Sequence, residues 1–338
     1  MDNGTRSLME FLLAVRESAL ESSRISFGCV TTRGRSEVSP WYSGSTYIVR
    51  LNPSGSVSLH GKDMGLSARR LKPTIYQDIL AGLGIGQDDM ANPSAALVAA
   101  TRRNGGSFTV PGTSSRAYAT VYIQPGLKTP FVLTAGFDLN ESHLVSLADE
   151  KIEYGNPSVT ARDVVDRDTL KTFVTEAGNH IQRLLKSRDP EAIDQIRLGL
   201  RDPNGPWRQG SVYLYVWDLT NRTILLHAGF PNTYELQPLR PVARDAVTGA
   251  YILPQLITAA NSGPEGGFVE YHFDNPSDAL DSVDIPKTGY VRKFVVQIPR
   301  LDGGSARAFS FVVGAGFYPS PSQVSQSTVV EEVLPQIM

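Results

Sequence analysis

The sequence predicts an α+β fold built as two tandem modules, each an antiparallel sheet with a long helix in front of it. Three observations predict this. At 338 residues the chain exceeds one ordinary domain. Short segments of the first half recur in the same order in the second. The intervening segments alternate apolar and polar residues in the period-two manner of half-buried strands.

The recurrence begins with Pro40-Trp41-Tyr42-Ser43-Gly44-Ser45-Thr46-Tyr47, echoed by Pro206-Trp207-Arg208-Gln209-Gly210-Ser211-Val212-Tyr213. Each is followed by a strand, a turn and a second strand closing on histidine, Ser58-Leu59-His60 and Leu225-Leu226-His227. Leu71-Lys72-Pro73 pairs with Leu239-Arg240-Pro241, and each is expected to open a helix. Gly105-Gly106 pairs with Gly266-Gly267, Ala117-Tyr118 with Gly289-Tyr290, and Ala135-Gly136-Phe137 with Ala315-Gly316-Phe317. The spacing drifts only by loop-sized insertions, the mark of an internal repeat.

Ahead of the second copy, Leu170, Phe173, Val174, Ala177, Ile181, Leu184 and Leu185 make a helical stripe, with Asp168 and Thr169 as N-cap oxygens. Ser7–Leu12 is its counterpart ahead of the first. Tyr213, Tyr215 and Trp217 share one strand face, and Leu214 and Val216 the other. Lys293–Ile298 and Phe309–Gly314 flank the turn-prone Asp302-Gly303-Gly304 and read as a hairpin, while Gly314 and Gly316 inside a strand mark a close backbone approach. Gly82-Leu83-Gly84-Ile85-Gly86 reads as a helix C-terminal turn rather than a nucleotide loop. The expected organisation is 1–142 for the first module with its helix, 143–320 for the connecting helix and second module, and 321–338 for a linker stub.

Composition narrows function. A net charge of −2, from 32 basic and 34 acidic side chains, carries no basic run and argues against nucleic acid as a partner. The single cysteine, Cys29, rules out an internal disulfide and a multi-cysteine metal site. The five histidines lack metal-ligand spacing, and no nucleophile elbow or phosphate loop occurs. No enzyme, metal or cofactor is expected. No stretch reaches the length of a membrane span, and the first residues lack the order of a signal peptide.

In the second copy, Val247–Ile252, then Gly266-Gly267-Phe268-Val269-Glu270-Tyr271, then Lys287-Thr288-Gly289-Tyr290, then Gly314-Ala315-Gly316-Phe317-Tyr318 resemble the pattern of the Cache domains, extracytoplasmic sensor modules of bacterial signalling proteins. The resemblance covers about residues 200–320, and reaches 40–142 only through the internal repeat. It implies a PAS-like sheet enclosing a small-ligand pocket, and ligands of the acetate, propionate, pyruvate or lactate class. It also implies an extracytoplasmic location, membrane anchorage of the full-length protein, and a homodimer formed through the helices.

The residues expected to bind are Tyr215, Trp217, His227, Tyr271, Lys287 and Tyr290. Lys287 and Tyr290 are read as donors for an anion at one mouth of the sheet, walled by Tyr215 and Trp217. Lys287 also fits a solvated surface lysine, and the two strand-end histidines also fit loop anchors. In the first copy a pocket would draw on His60, Arg116 and Tyr118, with Arg116 standing in for the lysine, which aligns with Ser115. Tyr271 and Trp217 align with Val110 and Leu51, so the second module is the better binder. Asp138 stands where amine-binding relatives place an aspartate, without the surrounding motif. Two functions follow: a sensor for a small organic anion, or an envelope adhesion module that kept the fold without ligand binding.

Overall fold

Two five-stranded antiparallel sheets organise the computed structural model, which describes residues 3–21, 47–123, 129–187, 189, 191–220, 222–277, 285–298 and 306–319. The chain divides into two compact units, Met1–Ile152 and Glu153–Met338. Cys29, the Pro40–Thr46 anchor, the Asp302–Gly304 turn and the 321–338 stub lie outside the described residues.

Unit 1 runs α1 (Asn3–Glu21), β1 (Ile48–Leu51), β2 (Val57–His60), α2 (Pro73–Gly82), α3 (Pro93–Ala100), β3 (Gly106–Thr109), β4 (Arg116–Ile123) and β5 (Pro130–Ala135). Unit 2 runs α4 (Arg167–Lys186), α5 (Ala192–Arg201), β6 (Tyr215–Asp218), β7 (Thr223–His227), α6 (Pro231–Tyr234), α7 (Ile252–Ala260), β8 (Gly267–His272), β9 (Pro286–Ile298) and β10 (Arg307–Phe317). The strand orders are β2-β1-β5-β4-β3 and β7-β6-β10-β9-β8, the same PAS-like arrangement twice.

The correspondence extends to backbone detail. The first two strands of each sheet slip register at the same place, between Arg50 and Leu51 in β1 and between Val216 and Trp217 in β6. Such a bulge sharpens strand twist and re-aims the side chains beyond it. After each bulge a non-glycine residue takes a left-handed conformation, Ala68 at φ 69° and Leu236 at φ 59°. Ala68 N–H donates to Val57 O and Leu236 N–H to Ile224 O, while Val57 and Ile224 bond to Arg69 O and Gln237 O.

On α4 the apolar stripe is buried in full and packs on one face of the second sheet, with Gly178 letting the Phe294 ring of β9 approach closely enough that a Cβ there would lie 2.0 Å from it. The N-cap is Asp166, two residues before the expected oxygens. Its carboxylate accepts from Thr169 N–H and the Thr169 hydroxyl reaches back to Asp166 N–H, a reciprocal cap that Asp168 cannot make from inside the first turn.

Pro73 opens α2 and Gly84 (φ 73°) follows its end, as expected. Leu239-Arg240-Pro241 opens no helix. The chain there turns on Asp245, and α7 begins only at Ile252. Helix α5 had no counterpart in the strand and helix pattern. Its Ala192, Ile196 and Leu200 join the α4 core, but Asp194, Arg197 and Arg201 are buried too, which blurs the apolar periodicity. Among the described residues no helix is long and apolar enough to cross a membrane.

Candidate functional site

Side chains on successive strand residues point to opposite faces, and this parity sorts the expected residues of unit 2. Leu214, Val216, Tyr290, Phe294, Phe311 and Val313 belong to the core beneath α4. Tyr213, Tyr215, Trp217, Tyr271, Val291 and Val312 belong to the core on the other face, beneath α7.

A cavity of about 70 Å³ lies on the α7 face. It is room for a molecule of several non-hydrogen atoms rather than for one water. Of the residues expected to bind, Tyr215, Trp217, His227 and Tyr271 line it, and Tyr213, Tyr234, Arg240 and Phe273 line it as well. Tyr213 was legible from its period-two spacing with Tyr215 and Trp217. Arg240, exposed at the rim, had no such signal.

Glycines in the sheet make room for the large rings. A Cβ on Gly314 would lie 2.3 Å from the Tyr215 ring, one on Gly289 would lie 2.8 Å from the Tyr271 ring, and one on Gly316 would lie 2.7 Å from Lys287 Cε. Tyr215 stacks on Trp217 at 5.2 Å and on His227 at 5.9 Å between centroids.

One polar atom here lacks a partner in hydrogen-bond geometry. Tyr215 Oη is fully buried with no acceptor or donor in hydrogen-bond geometry, although the Tyr271 phenol lies beside it. His227 Nδ1 accepts from Phe230 N–H at 3.0 Å. Burial, with Lys287 nearby, pulls the imidazole down to about 3, so the ring is neutral and its proton sits on Nε2. The ring itself lines the cavity.

His60 repeats the hook in unit 1. Its Nδ1 accepts from Asp63 N–H at 2.7 Å, three residues on as in unit 2, but its Nε2 is spent on Leu139 O at 3.2 Å. Burial lowers it to about 4.

Lys287 is neither a surface lysine nor a cavity-lining one. It is 1% exposed, and its Nζ donates to Tyr213 Oη at 3.0 Å within a cage of Tyr213, Tyr318 and Phe273, at 4.3, 4.8 and 5.5 Å from the ring centroids. Burial draws the ammonium down to about 7, opposed by Asp274. Tyr213 stands as the layer between it and the cavity.

Tyr290 does not join the site. Three residues from Lys287 is an odd step along a strand, so its ring lies on the α4 face against Phe268 and its hydroxyl donates to Glu265 O. The same parity removes the first-module set. Arg116 occupies the position of Thr288, not of Lys287. It is exposed and donates to Ser107 Oγ, and Tyr118 donates to Asn104 O as Tyr290 does to Glu265 O. His60 sits on the other face from both. Val49, Leu51 and Val110, at the positions of Tyr215, Trp217 and Tyr271, are part of the unit 1 core. Tyr47, at the position of Tyr213, donates to Asp138, which thereby has a structural partner.

No protein-family model matches the chain, and no curated protein matches it. Among solved structures, a chain described as "Structural basis for carboxylic acid recognition by a Cache chemosensory domain" matches with 20% identity, covering 45% of this chain and 88% of that one at a TM-score of 0.28. At that TM-score the likeness adds nothing to the two sheets already described.

Proposed function

We infer that the chain is a duplicated sensor region of the Cache type, and that the unit 2 cavity binds a short organic carboxylate. The observation that carries this is the Tyr215 hydroxyl, buried without a partner in hydrogen-bond geometry in an aromatic-walled space that the neutral His227 ring also lines. Small-ligand pockets take this form, mostly apolar with a few convergent polar groups. A buried hydroxyl left unpaired costs stability, and a ligand oxygen would relieve it.

The sign of the ligand follows from the surroundings. The cavity lining holds no carboxylate among the described residues, Arg240 stands at its rim, and the Lys287 ammonium lies behind Tyr213. Lys287 then acts through Tyr213, whose oxygen accepts a hydrogen bond from the ammonium and whose own O–H is left to donate inward. Unit 1 is a matching scaffold that carries Val49, Leu51 and Val110, without polar atoms, at the positions of Tyr215, Trp217 and Tyr271. An extracytoplasmic location, membrane anchorage and pairing through α1 or α4 belong to the same reading.

Thermal melting against acetate, propionate, pyruvate and lactate tests it. Native-state binding raises the melting point by mass action, by about 2.7 kcal/mol of stability at a hundred times Kd. One or more of these acids should raise the melting temperature of unit 2. Tyr215→Phe should abolish the rise while leaving the ligand-free protein as stable or up to about 1 kcal/mol more so, because it deletes an unpaired hydroxyl. Arg116→Ala should retain the rise. No shift with any of the four, or an equal shift in Tyr215→Phe, would overturn the reading, and a side-chain-filled cavity would leave the adhesion function in its place.

A further inference from the structure

Between β7 and α7 the chain makes a long excursion, residues 238–251, that belongs to no sheet. Four of its residues, Leu239, Arg240, Val242 and Ala243, form one wall of the cavity. Its outward side is open to solvent, with Val242 at 56% and Val247 at 63% exposure. At its start it is tied to the sheet, through the Thr223–Pro238 bridge and the Leu239 N–H bond to Arg222 O. Further on it closes on itself, through Ile252 N–H to Ala243 O and Asp245 N–H to Ala250 O.

Asp245 joins this self-closed part to the sheet. One carboxylate oxygen accepts from Val247 N–H (3.0 Å), Thr248 N–H (2.6 Å) and the Thr248 hydroxyl (2.9 Å), all within the excursion. The other accepts from His272 N–H at 2.6 Å and lies 3.1 Å from His272 Nδ1, at the end of β8. The carboxyl is 3% exposed, and these bonds outweigh its burial to hold it ionised well below the ordinary aspartate range. His272 stands between Tyr271 and Phe273, both of which line the cavity.

A second hollow of about 290 Å³ adjoins this joint, lined by Arg244, His272 and Asp274 among others. It shares Tyr234, Ala243 and Phe273 with the cavity, so one layer of side chains separates the two spaces.

We propose that residues 238–251 are a hinged wall of the cavity latched by Asp245 to His272, and that release of this latch merges the outer hollow with the cavity to admit the ligand. The hinge lies at the Pro238–Leu239 tie, and the turn held by Asp245 moves as one piece because its internal bonds do not cross to β8. The proposal rests on the cavity being the binding site, but its test needs no ligand.

Trp217 lines the cavity, so its accessibility reports the latch. Acrylamide quenching is measured on the full chain, and the Trp217 component is taken as the difference between each protein and its Trp217→Phe version. Asp245→Asn keeps the side-chain shape but puts an amide where the carboxylate met two donors. It should raise quenching of the Trp217 component severalfold and speed amide exchange across 239–251. His272→Ala removes the ring leg and keeps the backbone leg, and should give an intermediate rise. The Trp207 component, from the α4 face, should stay unchanged in both. The latch is refuted by unchanged Trp217 quenching in His272→Ala, even if Asp245→Asn fails to fold. It is equally refuted by a rise shared by Trp207, which would mean general loosening. A protein that binds none of the four acids would fail the functional reading and leave this outcome intact.

Discussion

Replacing Lys287 with methionine should make unit 2 more stable at neutral pH, by about 1–4 kcal/mol, the range seen when buried charges give way to apolar residues of similar size. The ammonium is held with a single neutral hydrogen-bond partner in the described structure and three aromatic rings. Its burial lowers it from the ordinary 10.5 to about 7. The unfolded chain holds its proton up to about pH 10.5, whereas the folded chain gives it up near 7.

Between these values the unfolded state binds more protons, so wild-type stability should rise with pH from about 7 until the tyrosines begin to ionise near 10. Below pH 7 the cost is present in full. Urea unfolding of wild type and Lys287→Met from pH 6 to 9.5 reads both effects, with unit 1 cancelling in the difference. The gap between the two proteins should be widest at pH 6 and close toward pH 9.5. A gap that does not change with pH would mean that the lysine does not titrate in the folded state. Methionine keeps contact with the rings through its thioether, so the cage itself survives. Ligand binding should weaken in the same variant, because the charge behind Tyr213 is gone.

Glu235→Ala should cost unit 2 about 3–5 kcal/mol, the penalty for stranding a buried charge partner. The carboxylate is wholly buried and accepts from Arg197 at 3.0 Å, from Arg201 at 2.6 Å and from the His227 backbone N–H at 3.1 Å. Burial alone would raise it, but Arg201 and Arg197 hold it below the ordinary glutamate range. Its removal leaves two guanidinium groups of α5 facing each other without the charge between them. A triple change, Glu235→Leu with Arg197→Met and Arg201→Met, should recover most of the loss, because it removes charge and countercharge together. Equilibrium urea unfolding of the single and triple variants decides it: a triple variant no more stable than the single would show that packing, not charge, accounts for the loss.

The repeat made the architecture legible without a structure, because matched anchors in matched order force the same strand order twice. The aromatic face of β6 was legible because alternation is a local property. Three things were not. Lys287 and Tyr290 were placed together from a motif, although an odd step along a strand separates them onto opposite faces; parity was available and motif spacing overrode it. The second is the Glu235 centre. Helix α5 buries charge where pattern reading expects apolar residues, and its partner lies 38 and 34 residues away in sequence from the two arginines. Long-range charge pairing leaves no local trace. The wall of residues 238–251 was hidden for a related reason: Leu239-Arg240-Pro241 matches a helix opening, and only the Asp245 bonds to a distant strand show that the chain turns instead.

The two histidine hooks set an acid limit for each unit. Each ring accepts a backbone N–H through Nδ1, which it can do only while unprotonated at that atom. An unfolded histidine takes up a proton near pH 6.5, while His60 refuses it down to about 4 and His227 down to about 3. Because burial of each ring, which keeps it neutral for the hook, sets these values, the stability tied to the neutral ring is complete above pH 6.5 and is withdrawn as the pH falls, on the order of 3 kcal/mol per unit by pH 4. Melting temperatures followed from pH 7 to pH 4.5 should fall in both units together, although only unit 2 carries the Tyr215, Trp217 and Tyr271 rings on this face. Acidification thus strains both frameworks through one shared loop closure, so a chain carrying two such units fails in acid as a pair.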